Sequence, residues 1–179
     1  TGNPLWAANL GTKAGYESAP ALGGGFAYVV REEAGNRVSL FKLDATSGST
    51  VASALNIKGS GTFASSPVVA TVGARAFVLF GTDSAAVAVE SVPGGLGPPC
   101  LFPSPGAGAI FSTPAVDGTT VFFGAADGSA DAVNQKGVGN NVTMGVWAGD
   151  LTALAAGGNC ATWLSQLAAT AGDVFSAPA

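Results

Sequence analysis

The stretch FSTPAVDGTTVFFGAADG, residues 111–128, alternates short apolar runs with Gly, Pro, Ser and Asp. This alternation predicts turn, short strand, turn, short strand, turn. Its opening phrase is a serine followed by a small residue, a proline and an apolar residue. The same phrase begins at Ser18, Ser65, Ser112 and Ser176. We therefore predict that one local structure is built repeatedly along the chain.

The spacing of these serines suggests the architecture. It is 47 residues from Ser18 to Ser65, 47 from Ser65 to Ser112 and 64 from Ser112 to Ser176. A period in the forties made of short strands and turns is typical of β-propeller blades, which bury their faces against neighbouring blades. Helical repeats of similar length do not fit, because the segments are rich in Val, Phe, Thr and Gly and are often interrupted.

Each repeat has room for four short strands. We predict first strands directly after the proline, at residues 21–22, 68–69 and 115–116. The second strands are the most apolar and should be covered on both faces, at residues 26–30, 77–80 and 121–123. The third strands are predicted to begin at Arg37, Ala85 and Asp150, and the fourth strands at Ser49, Cys100 and Cys160.

Residues 4–10 resemble the last predicted strand, with Trp6 opposite Trp163, so we predict that they form the last strand of a preceding blade. The predicted blades are residues 18–64, 65–111 and 112–175, and residues 176–179 begin a further blade. The predicted fold is all-β: a single segment, residues 1–179, forming a partial β-propeller of three four-stranded antiparallel blades with flanking strands. Propellers have about four to eight blades. We therefore expect a protein partner or further chain to complete the ring.

A family resemblance emerges from three phrases. They are SSPVV…FVLFGTD…AVAV from Ser65, STPAVDGTTVFFGAADG from Ser112, and LFKLDATSG from Leu40. This order resembles the repeats of the pyrroloquinoline-quinone (PQQ) enzyme-like propellers. That superfamily includes quinoprotein dehydrogenases, assembly lipoproteins and extracytoplasmic domains of no assigned role, so the resemblance implies an extracytoplasmic location: periplasm, organelle lumen or secreted. Residues 43–48 approximate the family's tryptophan-docking phrase, but the tryptophan expected shortly afterwards is missing.

Composition excludes several functions. The chain has 179 residues, 47% of them hydrophobic and 10% charged, which is enough apolar material for a core. Its 7 basic residues are scattered among 11 acidic ones, so we predict no nucleic-acid binding. No apolar run approaches the roughly 20 residues of a membrane helix, so we predict that the chain does not span a membrane. Histidine is absent, which excludes Ser-His-Asp triads and most catalytic zinc sites.

The third repeat is longer than the others, and we assign the excess to an insertion at about residues 129–147. Such a segment is either a tolerated surface insertion or a loop that contacts a partner. Asn140, Met144 and Trp147 are the candidate partner-contact residues. Asn141 begins an Asn-Val-Thr glycosylation sequon, usable only in a secreted eukaryotic protein.

The two cysteines, Cys100 and Cys160, are both predicted where a third strand turns into a fourth, on the same rim of the propeller. They are either a disulfide in an oxidising compartment or two independent small buried residues. They cannot be the vicinal cysteine pair of quinoprotein dehydrogenases, because that pair is adjacent in sequence.

The acidic residues predict no metal site. Asp127, Ser129 and Asp131 resemble the opening of a calcium loop, but Val138 stands at the twelfth position, where Glu is needed, so we interpret the stretch as a turn. We predict no catalytic residue and no cofactor. The leading hypothesis is a non-catalytic binding or assembly module, a peripheral subunit of a larger extracytoplasmic complex. The alternatives are a fragment of a PQQ-dependent quinoprotein dehydrogenase and a structural surface or filament protein.

Overall fold

The computed structural model describes residues 4–11, 17–35, 37–58, 64–103, 110–126, 145–160 and 162–169. Sheet 1 contains β1 (Ala21–Gly23), β2 (Phe26–Glu33), β3 (Arg37–Asp44) and β4 (Thr50–Lys58). Sheet 2 contains β5 (Val68–Val72), β6 (Arg75–Gly81), β7 (Ala85–Val92) and β8 (Gly95–Pro103). Sheet 3 contains β9 (Ile110–Phe111), β10 (Ala115–Asp117), β11 (Thr120–Ala126), β12 (Gly145–Asp150) and β13 (Leu164–Ala169), and the helix α1 (Leu151–Ala155) follows β12.

The three sheets share one topology. In each, four strands pair in chain order, and every pairing is antiparallel; β9 adds a short fifth strand beside β11. The first strands begin at Ala21, Val68 and Ala115, a spacing of 47 residues. The prediction of a mainly β chain with three four-stranded antiparallel sheets is therefore confirmed.

The repeated serine phrase forms the same hydrogen-bonded clamp in every sheet. The hydroxyls of Ser18, Ser65 and Ser112 accept hydrogen bonds from the backbone N–H groups of Val30, Gly81 and Gly124, at 3.0, 2.8 and 3.0 Å. Each serine N–H in turn donates to the carbonyl of the same strand residue, at 2.8–2.9 Å. All three serines are buried. The clamp ties the entry of each repeat to its second strand, which explains why a small hydroxyl residue recurs there.

Replacing Ser65 with alanine tests the clamp. The Gly81 N–H would lose its acceptor at a buried position, and an unsatisfied buried donor costs about 1–3 kcal/mol. We expect the free energy of unfolding, measured by urea titration, to fall by that amount. Ser53→Ala is the control, because Ser53 is exposed on β4 and should change stability by less than about 0.5 kcal/mol. Equal effects of the two substitutions would contradict a structural role for the clamp.

Sheet 2 is packed between the other two sheets. Phe77 and Leu79 of β6 face sheet 3 and lie in one apolar cluster with its residues Phe123 and Trp147. The alternate residues of β6, Val78 and Phe80, face sheet 1 and pack with its inward side chains. Since successive side chains of a strand point to opposite faces, a strand buried on both sides must be apolar throughout. For β6, the prediction of a strand covered on both faces is confirmed.

Polar contacts fix sheet 1 against sheet 2. The Tyr28 hydroxyl lies 2.7 Å from the Ser91 hydroxyl. The Lys42 ammonium donates to the carbonyls of Val92 and Gly95, at 2.8 and 3.3 Å, and lies 4.0 Å from the centre of the Phe26 ring. Lys42 is only 1% exposed, and burial lowers the pKa of its amine. These contacts hold the turn between β7 and β8 against the inner face of sheet 1.

The third repeat departs from the prediction. The third strand does not begin at Asp150; it is β12, which ends there, and α1 follows it. The Asp150 carboxylate accepts a hydrogen bond from the Thr152 backbone N–H at 2.8 Å and so caps the helix. Leu151 and Leu154 lie on one helix face and are buried. The helix forms here because the sequence Leu-Thr-Ala-Leu-Ala combines good helix formers with a two-leucine apolar face. It is confined to this short stretch.

The second repeat also differs at its fourth strand. The stretch PGGLGPP, residues 93–99, lies mostly in β8, which begins at Gly95 rather than at the predicted Cys100. The turn is two residues long, because Val92 pairs with Gly95. β8 is the outer strand of its sheet, where a proline leaves no ladder hydrogen bond unmade on the free side. Sequence alone underestimated the strand because it is rich in Gly and Pro.

The N-terminal residues form no strand. Residues 4–11 were predicted to provide the last strand of a preceding blade over residues 4–10, but they have no regular secondary structure and cross the outer face of sheet 1, the face turned away from sheet 2. Residues 176–179 lie outside the described residues. Within the described part of the chain, no helix has the length and apolar character required to cross a bilayer.

Candidate functional site

The turn between β3 and β4 presents a preformed surface on the outer side of sheet 1. The Asp44 carboxylate accepts hydrogen bonds from the backbone N–H groups of Ser47 and Thr46, at 2.8 and 3.0 Å, and from the Ser47 hydroxyl at 3.0 Å. These bonds, with the Ser47 N–H first among them, hold the pKa of Asp44 below its ordinary value. The carboxylate thus organises the turn itself, as aspartates in turns commonly do by bonding to nearby backbone amides.

Trp6 docks onto this turn. Its indole N–H donates to the Ala45 carbonyl at 3.0 Å. The ring covers Gly48, where an added Cβ would lie 2.6 Å from the Cδ2 atom of Trp6. Gly48 also has φ of +72°, a conformation that side-chain-bearing residues rarely adopt. Gly48 therefore serves two purposes: it allows the turn, and it leaves room for the indole.

A buried arginine forms a second contact with the same segment. The Arg31 guanidinium donates to the carbonyl of Leu10. It is held in place by Glu33, at 3.0 and 2.5 Å, and its Cζ atom lies 4.8 Å from the centre of the Phe41 ring. Both side chains of the ion pair are less than 10% exposed. Burying a charged pair costs free energy unless its hydrogen-bonding groups have partners. Here one N–H group of Arg31 finds its partner in the N-terminal segment, at the Leu10 carbonyl.

An apolar groove lies beside this segment. Its volume is about 430 Å³, within the range typical of ligand pockets. One wall is formed by Trp6, Ala8 and Leu10, and the opposite side by residues of sheet 1 and its entry: Glu17, Ser18, Pro20, Leu22, Ala27, Val29 and Leu43. Leu22 remains 73% exposed at the rim. The groove is thus an apolar surface of sheet 1 that residues 4–11 cover only in part.

The cysteines lie in neighbouring repeats and are joined. Cys100 and Cys160 form a disulfide with a Cα–Cα distance of 5.2 Å. Cys160 lies between α1 and β13, whereas Cys100 lies within β8 and pairs with Ala88. The prediction that a fourth strand begins at each cysteine is wrong in position for both, since β8 begins five residues before Cys100, at Gly95, and β13 begins four residues after Cys160, at Leu164. The bond links sheet 2 to the third repeat.

Trp147 is not a surface contact residue. It was assigned to an exposed partner-contact loop, but it lies in β12, is 7% exposed, and packs against Phe102 with ring centroids 5.4 Å apart. The insertion therefore ends before Gly145, where β12 begins. Asn140, Asn141 and Met144, the remaining residues proposed for that loop, lie outside the described residues, as do Asp127, Ser129 and Asp131.

The sequence alone predicts neither the packing of Trp6 on this turn nor the hydrogen bond from Arg31 to the Leu10 carbonyl. Residues 43–48, LDATSG, resemble a tryptophan-docking phrase, but no tryptophan follows them shortly afterwards in the sequence. Trp6, which lies 39 positions before the Ala45 carbonyl that it binds, packs against this phrase. Gly48, at the end of the phrase, indicates that another group can approach the backbone closely, but it does not identify the side chain that does so.

The buried polar side chains of the described residues make structural contacts. Among them, no three His, Cys, Asp or Glu side chains lie close enough to hold a metal ion. The hydroxyls of Ser18, Ser65 and Ser112 form the clamps, and Lys42 and Arg31 bind backbone carbonyls. No family model, curated protein or solved structure matches the chain.

Proposed function

We propose that the chain is a segment of a β-propeller and acts as a non-catalytic binding or assembly module. One observation carries the proposal: three sheets of the same topology, spaced by 47 residues at their first strands, stack face to face in chain order. A propeller is built from such sheets, each burying its faces against its neighbours. The PQQ enzyme-like resemblance, drawn from the same repeats, supports this arrangement.

The two outer faces of the stack favour assembly. Sheet 1 has an incompletely covered apolar face, with the groove and the exposed Leu22. On sheet 3, Phe122 and Val146 point away from sheet 2 and are half-buried. Apolar sheet faces of this kind are usually covered in a working protein. A protein partner that packs on one of these faces would bury that sheet on both sides, as sheet 2 already is.

The disulfide supports an extracytoplasmic location as part of the proposal. Disulfides persist in oxidising compartments such as the periplasm, the organelle lumen and the extracellular space. Cys100 and Cys160 join separate repeats, so their bond stabilises the stack itself.

Sedimentation velocity over a concentration series tests the assembly function. We expect the chain to associate as its concentration rises, and Leu22→Asp to weaken association by placing a charge on the apolar face. Thr71→Asp is the control, because Thr71 is exposed on β5 and lies apart from the groove. A monomer at all concentrations would contradict the proposal, and a quinone absorbance band in the purified protein would favour the dehydrogenase alternative.

A further inference from the structure

We infer that the outer face of sheet 1 is a receptor for an extended segment carrying a tryptophan, and that residues 4–11 of a second copy of this chain can bind there in exchange for its own. The inference rests on the proposed assembly function and names the partner. The occupant is identified by residues 4–11 themselves, which lie on this face and make side-chain-specific contacts with it.

The receptor has two anchors with different chemistry. The turn at Ala45 and Gly48 accepts an indole, because it combines a carbonyl acceptor with a surface that lacks a Cβ. Arg31 binds the carbonyl of Leu10, a backbone group that any residue provides. The receptor therefore requires a tryptophan at one position and, four residues later, an extended backbone with a free carbonyl. Arg31 is fixed by Glu33 and Phe41, both on sheet 1, so this anchor is a property of the sheet and not of the bound segment.

The bound segment is not part of the sheet. Within the described part of the chain, residues 4–11 make no backbone-to-backbone hydrogen bond with any strand. Their attachment consists of the indole bond, the arginine bond and the packing of Trp6, Ala8 and Leu10 against Ala27, Phe41 and Leu43. Releasing such a segment disrupts no strand ladder.

Exchange between copies follows from this mode of attachment. A second copy offers the same segment, which would make the same contacts, so exchange replaces each contact with an identical one. The repeated contact is head-to-tail, because the segment of one copy binds sheet 1 of the next. The groove beside the segment shows that the receptor face is wider than its present occupant.

A peptide tests the receptor directly. The probe is a fluorescently labelled peptide of residues 4–11, PLWAANLG, and the receptor is the full chain carrying Trp6→Ala, which weakens the hold on its own segment. We expect saturable binding by fluorescence anisotropy. The peptide with alanine in place of tryptophan should bind at least about tenfold more weakly, since a tryptophan that packs on its receptor is a typical hot spot. Adding Gly48→Val to the receptor should have the same effect, because the valine side chain would occupy the indole position.

A second measurement needs no variant. The unlabelled peptide is added to the wild-type chain, and association is followed by sedimentation velocity. Loss of association in the presence of the tryptophan peptide, but not of its alanine counterpart, would support both the receptor and its role in assembly. Association that the peptide leaves unchanged would overturn the inference and leave the proposed assembly function standing. A folded Trp6→Ala chain that binds neither peptide would also overturn it.

Discussion

Replacing Trp147 with alanine is expected to lower the free energy of unfolding by about 3–5 kcal/mol, the usual effect of truncating a large buried aromatic residue. Trp147 is 7% exposed and belongs to the cluster between sheets 2 and 3, where it contacts Phe102. Its removal would leave a cavity in that interface. Urea or thermal unfolding, followed by circular dichroism, measures the change.

The control for this substitution is Leu55→Ala. Leu55 is also a large apolar residue in a strand, but it is 57% exposed, so its truncation should cost much less than that of Trp147. If Trp147 were a partner-contact residue on a surface loop, its alanine variant would keep its stability. That result would contradict the placement of β12.

The misplacement of Trp147 shows where sequence reasoning fails. The period of 47 residues predicts each element of the first two repeats within a few positions, because the Ser-x-Pro phrase and the glycine turns are local signals. In the third repeat the extra residues break the period. The local signals for the third strand conflict: Gly145–Asp150 contains two glycines, which weaken a strand, whereas Leu151–Ala155 consists mainly of helix formers. The choice depends on Phe102 and Phe123, which belong to other strands.

The candidate docking site was missed for the same reason. Residues 4–10 do have the apolar content of a strand, but their actual partners, the Ala45 carbonyl and Arg31, lie 39 and 21 positions away from Trp6 and Leu10. Periodicity identifies apolar segments and does not say whether they pair in a ladder or pack on a face. The turn at residues 43–48, by contrast, is determined locally, because the Asp44 carboxylate accepts hydrogen bonds from residues only two and three positions away.

Removing the disulfide is the second large perturbation. The double variant Cys100→Ala and Cys160→Ala should lower the free energy of unfolding by about 2–4 kcal/mol, the range found when a native crosslink is lost. The bond joins residues 60 positions apart and connects sheet 2 to the third repeat, so it restricts a long stretch of the unfolded chain.

Reductant provides the matched control for this substitution. Adding it should destabilise the wild-type chain by a similar amount and leave the double variant unchanged. Intact-mass analysis without reductant should show the wild-type chain about 2 Da below its dithiol form, because a disulfide forms with loss of two hydrogens. Labelling of both thiols in the native, unreduced protein would contradict the bond.

Amide hydrogen exchange tests the stacking of the three sheets most directly. Sheet 2 is buried on both faces, whereas sheets 1 and 3 each have one outer face, so opening sheet 2 requires disrupting both interfaces. We predict that the ladder amides of β6 and β7 are the slowest to exchange in the chain, with the clamped Gly81 N–H among them. Ladder amides of sheet 2 that exchange as fast as those of sheets 1 and 3, at the same strand position, would contradict the stack.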